Sequence, residues 1–242
     1  MEIVYINLAT RPDRNERFQR LNDGIVEFRR IDAVVGVTLR TEDLLRAGVI
    51  AEPLTAFSAG ALGNARTHQQ LWEQCAATNA VLTLAEDDAA FNRYFPDKAP
   101  GVLSQLPPDW DIILWGWNFD SVLHVGILGG IKEAVMNFDA RPLGSRVAEF
   151  QSKDYPVQPL RLMNAFGLVS YSVSPAGARR LLAACFPLTN EAIPIPGLNR
   201  HLLNISLDAT MNKHYRSLRS FVCFPPLVWT ENDRSASDVV PA

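Results

Sequence analysis

The chain has 242 residues, 48% of them hydrophobic and 20% charged, with a net charge of −3. That suits one large α/β domain, or a domain with a small appendage, and argues against a nucleic-acid binder held by phosphate attraction. Cys75, Cys185 and Cys223 are odd in number and lack paired spacing, so neither a disulfide framework nor a zinc site is expected and the compartment should be reducing. No stretch approaches the ~20 apolar residues that span a bilayer. The N-terminus enters Ile3-Val4-Tyr5-Ile6 after one acid, without a basic leader region. The expected location is therefore cytoplasmic, in solution or peripheral to the inner face of the membrane.

Ile3 to Leu8 reads as a first strand, and Thr10 is placed to N-cap a helix over Arg11 to Asn22 with Pro12 and Asp13 in its first turn. A helix N-terminus at the carboxyl edge of a sheet suits an anion or nucleotide, and Arg11, Arg14, Arg17, Arg20, Arg29 and Arg30 cluster nearby. Neither the dinucleotide fingerprint nor the P-loop occurs. Val26 to Val35 reads as a second strand, completing a β-α-β start, and Thr41 caps a short helix that stops at Gly48. Ser58 opens a long helix to Thr78, with Leu62, Leu71, Trp72 and Cys75 on its apolar stripe. Gly60 and Gly63 permit close backbone approach, to a ligand or to a neighbouring strand. His68 lies mid-helix, a place more often held by a hydrogen-bonded packing residue than by a catalyst.

Val81 to Ala85 reads as a buried strand and ends abruptly in Glu86-Asp87-Asp88. Open α/β sheets bind ligands at this carboxyl end. Adjacent carboxylates at the rim of a core repel and are partly desolvated. A hard divalent cation is the simplest compensator, and a solvated turn is the bland alternative. If strand geometry continues, Glu86 and Asp88 point to one side and Asp87 to the other.

Asp97 to Leu106 reads as a helix and Asp111 to Trp117 as a buried strand, whose aromatic exit through Trp115, Trp117 and Phe119 is core in preference to a sugar pocket. Residues 121–160 read as irregular strands and loops, a flap over the site. Asn164 to Ser172 reads as a strand, Ser174-Pro175 as a helix start, and 194–197 as a turn-rich linker. Ser206 caps a short helix with Asp208 in its first turn, a position where an acid can serve the helix dipole alone. Phe221 to Trp229 is a last strand broken by Pro225-Pro226, and a polar tail follows Glu231.

Several of these segments, in order, resemble glycosyltransferase family 25, which includes lipooligosaccharide galactosyltransferases and collagen galactosyltransferase domains. They are Ile6-Asn7-Leu8 with Arg11-Pro12-Asp13-Arg14; Ser58, Gly60 and Gly63 with Thr67-His68; Leu84 to Asp88; Phe166 to Ala178; Asp208; and Pro225-Pro226-Leu227-Val228 with Ser237-Asp238. Ala61 and Ser206-Leu207 depart from that family's pattern. The resemblance implies a GT-A-like α/β fold: a single domain over 1–242 with a Rossmann-type mixed sheet flanked by helices, a nucleotide-binding half at about 1–120, an acceptor half at about 121–230 and a polar tail at 231–242. It also implies a UDP-sugar donor, Mn²⁺ or Mg²⁺, and inverting transfer of a hexose such as galactose or glucose to a glycan or glycolipid of the lipopolysaccharide type. On that reading Glu86 and Asp88 hold the metal. Asn7, Leu8, Arg11, Arg14, Gly60, Gly63, His68 and Asp87 hold the nucleotide sugar. Asp208 is the catalytic base, with Asp120, Glu191 and Glu231 as rivals. A noncatalytic binding relative and a metal-dependent phosphohydrolase or nucleotidyltransferase are the competing readings.

Overall fold

The computed structural model describes residues 2–119, 121–138 and 146–230. In chain order the elements are β1 (Ile3–Asn7), α1 (Pro12–Asn22), β2 (Phe28–Asp32), α2 (Thr41–Arg46), α3 (Ala59–Thr78), β3 (Leu82–Glu86), β4 (Ala89–Phe91), α4 (Phe95–Leu103) and β5 (Ile112–Gly116). After them come β6 (Val122–Ile127), β7 (Lys132–Asn137), α5 (Val147–Ser152), β8 (Gln158–Asn164), β9 (Ser170–Val173) and α6 (Pro175–Cys185). The chain then forms β10 (Ile193–Ile195), β11 (Arg200–Leu202), α7 (Leu207–Asn212), β12 (Ser220–Phe224) and β13 (Val228–Thr230).

A nine-stranded mixed sheet, ordered β2-β1-β3-β9-β5-β12-β8-β6-β7, forms the centre. β1 runs parallel to both β2 and β3, β9 is antiparallel to β3 and to β5, and β12 is parallel to β5. The carboxyl ends of β1, β3, β5 and β12 therefore share one edge. Strand residues alternate between two cores. Val4, Ile6, Leu84 and Leu114 join Leu71 and Trp72 of α3, Leu181 of α6 and Met211 of α7. Ile3, Tyr5, Ala85 and Trp115 join Phe18 of α1 and Phe95 of α4 on the other face. A sheet covered on both faces explains why β1 and β5 are buried throughout and read as continuous apolar runs. The α/β class and the mixed sheet flanked by helices agree with the expectation from sequence.

Local signals fared unequally. Ser58 caps α3, accepting from the Ala61 N–H at 3.0 Å, and Ser174 caps α6, accepting from the Gly177 N–H at 2.9 Å. Thr10 does not cap α1: Arg11 holds the N-cap position, no side chain caps it, and Pro12 fixes the start by its φ. Thr41 is likewise the first helical residue and not the cap. Residues 121–138 and 146–160 are not an irregular flap. β6 and β7 form a hairpin turned by Gly129 and Gly130, both at positive φ, and with β8 they extend the sheet to its edge. Edge strands carry charged residues such as Lys132 and Glu133, which masks the apolar alternation. The 164–172 segment is two strands' ends joined through Gly167 at φ +84. The 194–197 turn belongs to the β10–β11 hairpin.

α3 sits against the loop after β2 with its backbone in contact. A Cβ at Gly63 would lie 2.4 Å from the Val34 carbonyl oxygen and 2.8 Å from the Gly36 nitrogen. Gly63→Ala is therefore expected to cost about 1–3 kcal/mol by overpacking, read as a lower urea midpoint at unchanged m-value. An unchanged midpoint would show that the loop yields freely.

Candidate active site

β3 is buried because Thr83, Leu84 and Ala85 contact cores or strands on both faces, and its pairing extends one residue further: the Glu86 N–H donates to the Val169 carbonyl at 2.9 Å. The chain then turns through Asp87 and Asp88 into β4, so the strand's alternation does not run on through the three acids. Each acid finds different partners. Asp87, 8% exposed, accepts from Asn7 Nδ2 at 2.7 Å through one oxygen and pairs with Arg14 Nη2 at 2.5 Å through the other. Burial raises its carboxyl above the usual range, with Arg14 and then Asn7 opposing that rise.

Asp88 accepts from Thr230 Oγ1 at 3.0 Å and lies 3.9 Å from Arg14 Nη2. Its other oxygen, Oδ1, is buried with no hydrogen-bond partner among the described residues. Glu86 Oε1 accepts from Asn64 Nδ2 at 3.2 Å and lies 4.0 Å from His68 Nε2. Burial first, and the Asp88 charge second, push the Glu86 carboxyl up to about 8. Its side chain nevertheless keeps 28% of its surface accessible. The carboxyl is thus surrounded by protein on most sides yet reachable by solvent.

The turn from β1 into α1 brings the basic residues beside these acids. Asn7 is 1% exposed and its amide is fully engaged: Oδ1 accepts from Arg30 Nε at 3.0 Å, and Nδ2 donates to the Arg11 carbonyl at 3.1 Å as well as to Asp87. The Leu8 carbonyl accepts from the Arg11 N–H at 2.9 Å. Arg11 pairs with Asp13 at 3.0 Å. The compensating charge at Asp87 is thus supplied by the chain itself, through Arg14. Gly60 lies in the first turn of α3, and the close approach at Gly63 is to backbone of residues 34–36. Asn64 and His68, four residues apart on α3, share the face toward Glu86.

Asp208 reaches the same sheet edge from α7. Its Oδ2 accepts from the Gly167 N–H at 2.8 Å, and the Ser206 hydroxyl donates to Oδ1. Gly167 precedes Val169, the partner of Glu86, by two residues, a span of at most roughly 7 Å. Glu191 is exposed and pairs with Lys213, which holds its carboxyl below the usual range. Asp120 and Glu231, the other candidate bases, and Ser237-Asp238 lie outside the described residues. Four residues around these acids were not picked out as site residues from the sequence. Asn64 was findable from its i−4 spacing to His68. Thr230 is far from Asp88 in sequence. Tyr171 bonds His68. The Asn118 amide packs where a Cβ on Gly167 would lie 2.2 Å from its Oδ1.

No group of three or more His, Cys, Asp or Glu side chains among the described residues forms a metal site. Glu86 and Asp88 are two neighbouring carboxylates, one of them with a buried, unpartnered oxygen. That donor set fits a magnesium-like cation that arrives with phosphates and waters completing its shell, and not one held by protein ligands alone.

Comparison with known proteins agrees on the family. The chain is 31% identical over 209 residues to a glycosyltransferase 25 family member of Drosophila melanogaster, covering 72% of this chain and 34% of the relative. It is 30% identical over 252 residues to procollagen galactosyltransferase 1-B of Xenopus laevis, covering 94% and 35%. A human relative named inactive glycosyltransferase 25 family member 3 is 28% identical over 127 residues, covering 48% and 21%. The chain thus spans about a third or less of the length of these relatives. Among solved structures, the apo form of mouse xyloside xylosyltransferase 1 aligns over 89% of this chain and 68% of its own at 8% identity, with a TM-score of 0.33 too low to carry weight. Residues 1–195 match the family model described as glycosyltransferase family 25 (LPS biosynthesis protein), and the chain belongs to that family.

Proposed function

We propose that this protein transfers a hexose, galactose or glucose, from a UDP-sugar to a hydroxyl of a glycan or glycolipid acceptor, with inversion. The observation that carries this reading is the acidic turn. Asp88 keeps a buried, unpartnered oxygen beside the desolvated Glu86, at the sheet edge where the β1–α1 turn presents Leu8, Arg11 and Arg14. The relatives' names favour galactose as the sugar, and the family description favours lipopolysaccharide as the acceptor. A glycolipid acceptor would be met by peripheral contact at a cytoplasmic face; no helix among the described residues is long and apolar enough to cross a membrane.

Mn²⁺ or Mg²⁺, when bound, neutralises the charge that develops on the departing diphosphate. Asp88 and Glu86 are the residues to hold it. Asp87 positions Arg14 through their ion pair, and Arg14 with Arg11 offers positive charge to the nucleotide. Leu8 contributes backbone, and Gly60 keeps a side chain out of the donor's path, whereas Gly63 lets α3 close on the backbone of residues 34–36. Asp208 takes the proton from the acceptor hydroxyl, with the Gly167 N–H and Ser206 O–H fixing its orientation. Residues 1–120 bind the donor and 121–230 the acceptor. The human relative named inactive supports a second reading, a nucleotide-sugar-binding protein without turnover. A panel of nucleotide sugars, with and without manganese and scored by nucleoside diphosphate release, decides between them. Release of a monophosphate instead would identify a phosphohydrolase.

Asp88→Asn is expected to weaken manganese-dependent UDP binding at least tenfold, about 1.4 kcal/mol, in a calorimetric titration; wild-type affinity would remove Asp88 from the cation. Asp208→Asn should lower transfer by roughly 10²–10⁴-fold while UDP affinity stays within about twofold. Transfer at the parent rate in that variant would exclude Asp208 as the base. Glu86 is protonated in the folded state up to about pH 8, whereas the unfolded chain ionises it near 4.5. The folded state then binds the extra proton between those values, so stability from this group falls as pH rises through that window. Glu86→Gln should therefore raise Tm progressively from pH 5 to pH 8 relative to the parent protein. A pH-independent difference would show that Glu86 ionises normally.

A further inference from the structure

Behind Glu86 lies a polar chain too deeply enclosed to touch the donor itself: Trp72, Tyr171 and His68, all 0% exposed. The Trp72 indole nitrogen is a donor only, and it lies 2.7 Å from the Tyr171 hydroxyl, so that oxygen accepts from it. His68 Nδ1 lies 2.7 Å from the same oxygen. With the indole already donating, the arrangement that uses every group sends the hydroxyl hydrogen to Nδ1. The reverse, with Nδ1–H donating, would strand the hydroxyl hydrogen in the core at a cost of about 1–3 kcal/mol. An imidazole that accepts at Nδ1 carries its proton on Nε2.

That proton has no acceptor among the described residues. His68 Nε2 is buried with no hydrogen-bond partner among the described residues, and it is aimed at Glu86, whose Oε1 lies 4.0 Å away. This is about 1 Å beyond the usual ~2.9 Å hydrogen-bond length. Asn64 already donates to the same oxygen at 3.2 Å.

We propose that Trp72 and Tyr171 fix His68 as its Nε2–H tautomer, making His68 a positioning residue that, with Asn64, turns Glu86 so that its other oxygen faces the bound nucleotide diphosphate. α3 thus carries two donors, at i and i+4, for one carboxylate oxygen. The buried N–H closes on Oε1 when the donor and its cation settle on the acidic turn. This rests on reading that turn as the donor site.

The tautomer is testable in the ligand-free chain, independently of whether the donor site is right. Long-range ¹H–¹⁵N correlation of ¹⁵N-histidine-labelled protein is expected to place the His68 proton on Nε2, and Tyr171→Phe should shift it toward Nδ1. A proton on Nδ1 in the parent protein overturns the proposal whatever the chain binds. With UDP and manganese as probe, His68→Phe, which keeps a ring but no donor, should weaken binding about tenfold. His68→Gln, whose amide nitrogen takes the ε position, should restore it to within about threefold. Equal losses in both variants, beside the expected tautomer, would reduce His68 to packing and overturn the positioning role. Failure of the parent protein to bind UDP with manganese would instead sink the donor-site reading, leaving the tautomer result standing.

Discussion

Three carboxylates placed at the end of a strand buried on both faces repel one another and lose hydration, and the protein meets that cost three different ways. Asp87 is given a cation, Arg14, and a neutral donor, Asn7, both from the β1–α1 turn. Asp88 is given one hydroxyl, from Thr230, and its other oxygen has no partner among the described residues. Glu86 is given no cation within 4 Å among the described residues, and burial favours its neutral form. The sheet order follows the same need. β1 must neighbour β3 for Asn7 and Arg14 to reach Asp87, and β13 must return against β4 for Thr230 to reach Asp88.

This division separates structural from chemical acidity. The pair formed by Arg14 and Asp87 is mostly buried and hydrogen-bonded, so removing either partner would strand a charge. It is a poor candidate for a group that changes state with each turnover. Asp88 and Glu86 are incompletely satisfied among the described residues, which makes them the candidates for a ligand at this turn. The helix behind them matches this, since α3 aims Asn64 and His68 at Glu86 while Gly63 lets its backbone close on residues 34–36.

The loop between β8 and β9 links the two ends of the proposed site. Val169 holds Glu86, Gly167 holds Asp208, and a side chain at 167 would collide with Asn118 at the exit of β5. Gly167 therefore needs both its positive φ and its missing Cβ. Through it the carboxyl edge gathers residues from β1, β3, β5 and α7 without any of them being near in sequence.

The sequence by itself determined the apolar strands, the caps at Ser58 and Ser174, the proline start of α1 and the acidic end of β3. Each of these is set by side chains within a few residues of one another, where helical and strand periods act. It also carried enough ordered motifs for the family to be recognised. What only the tertiary structure decided was who compensates whom. A cation was the simplest expectation for the acidic turn, yet Arg14 already answers Asp87, because β1 and β3 lie side by side. Residues 122–137 became sheet edge because strand pairing with β8, and not local apolar alternation, holds β6 and β7 in place. His68, ambiguous as a lone mid-helix histidine, acquired a direction only when Tyr171 arrived from β9. Burial and long-range hydrogen bonding depend on which strands become neighbours, and no local pattern in the chain records that.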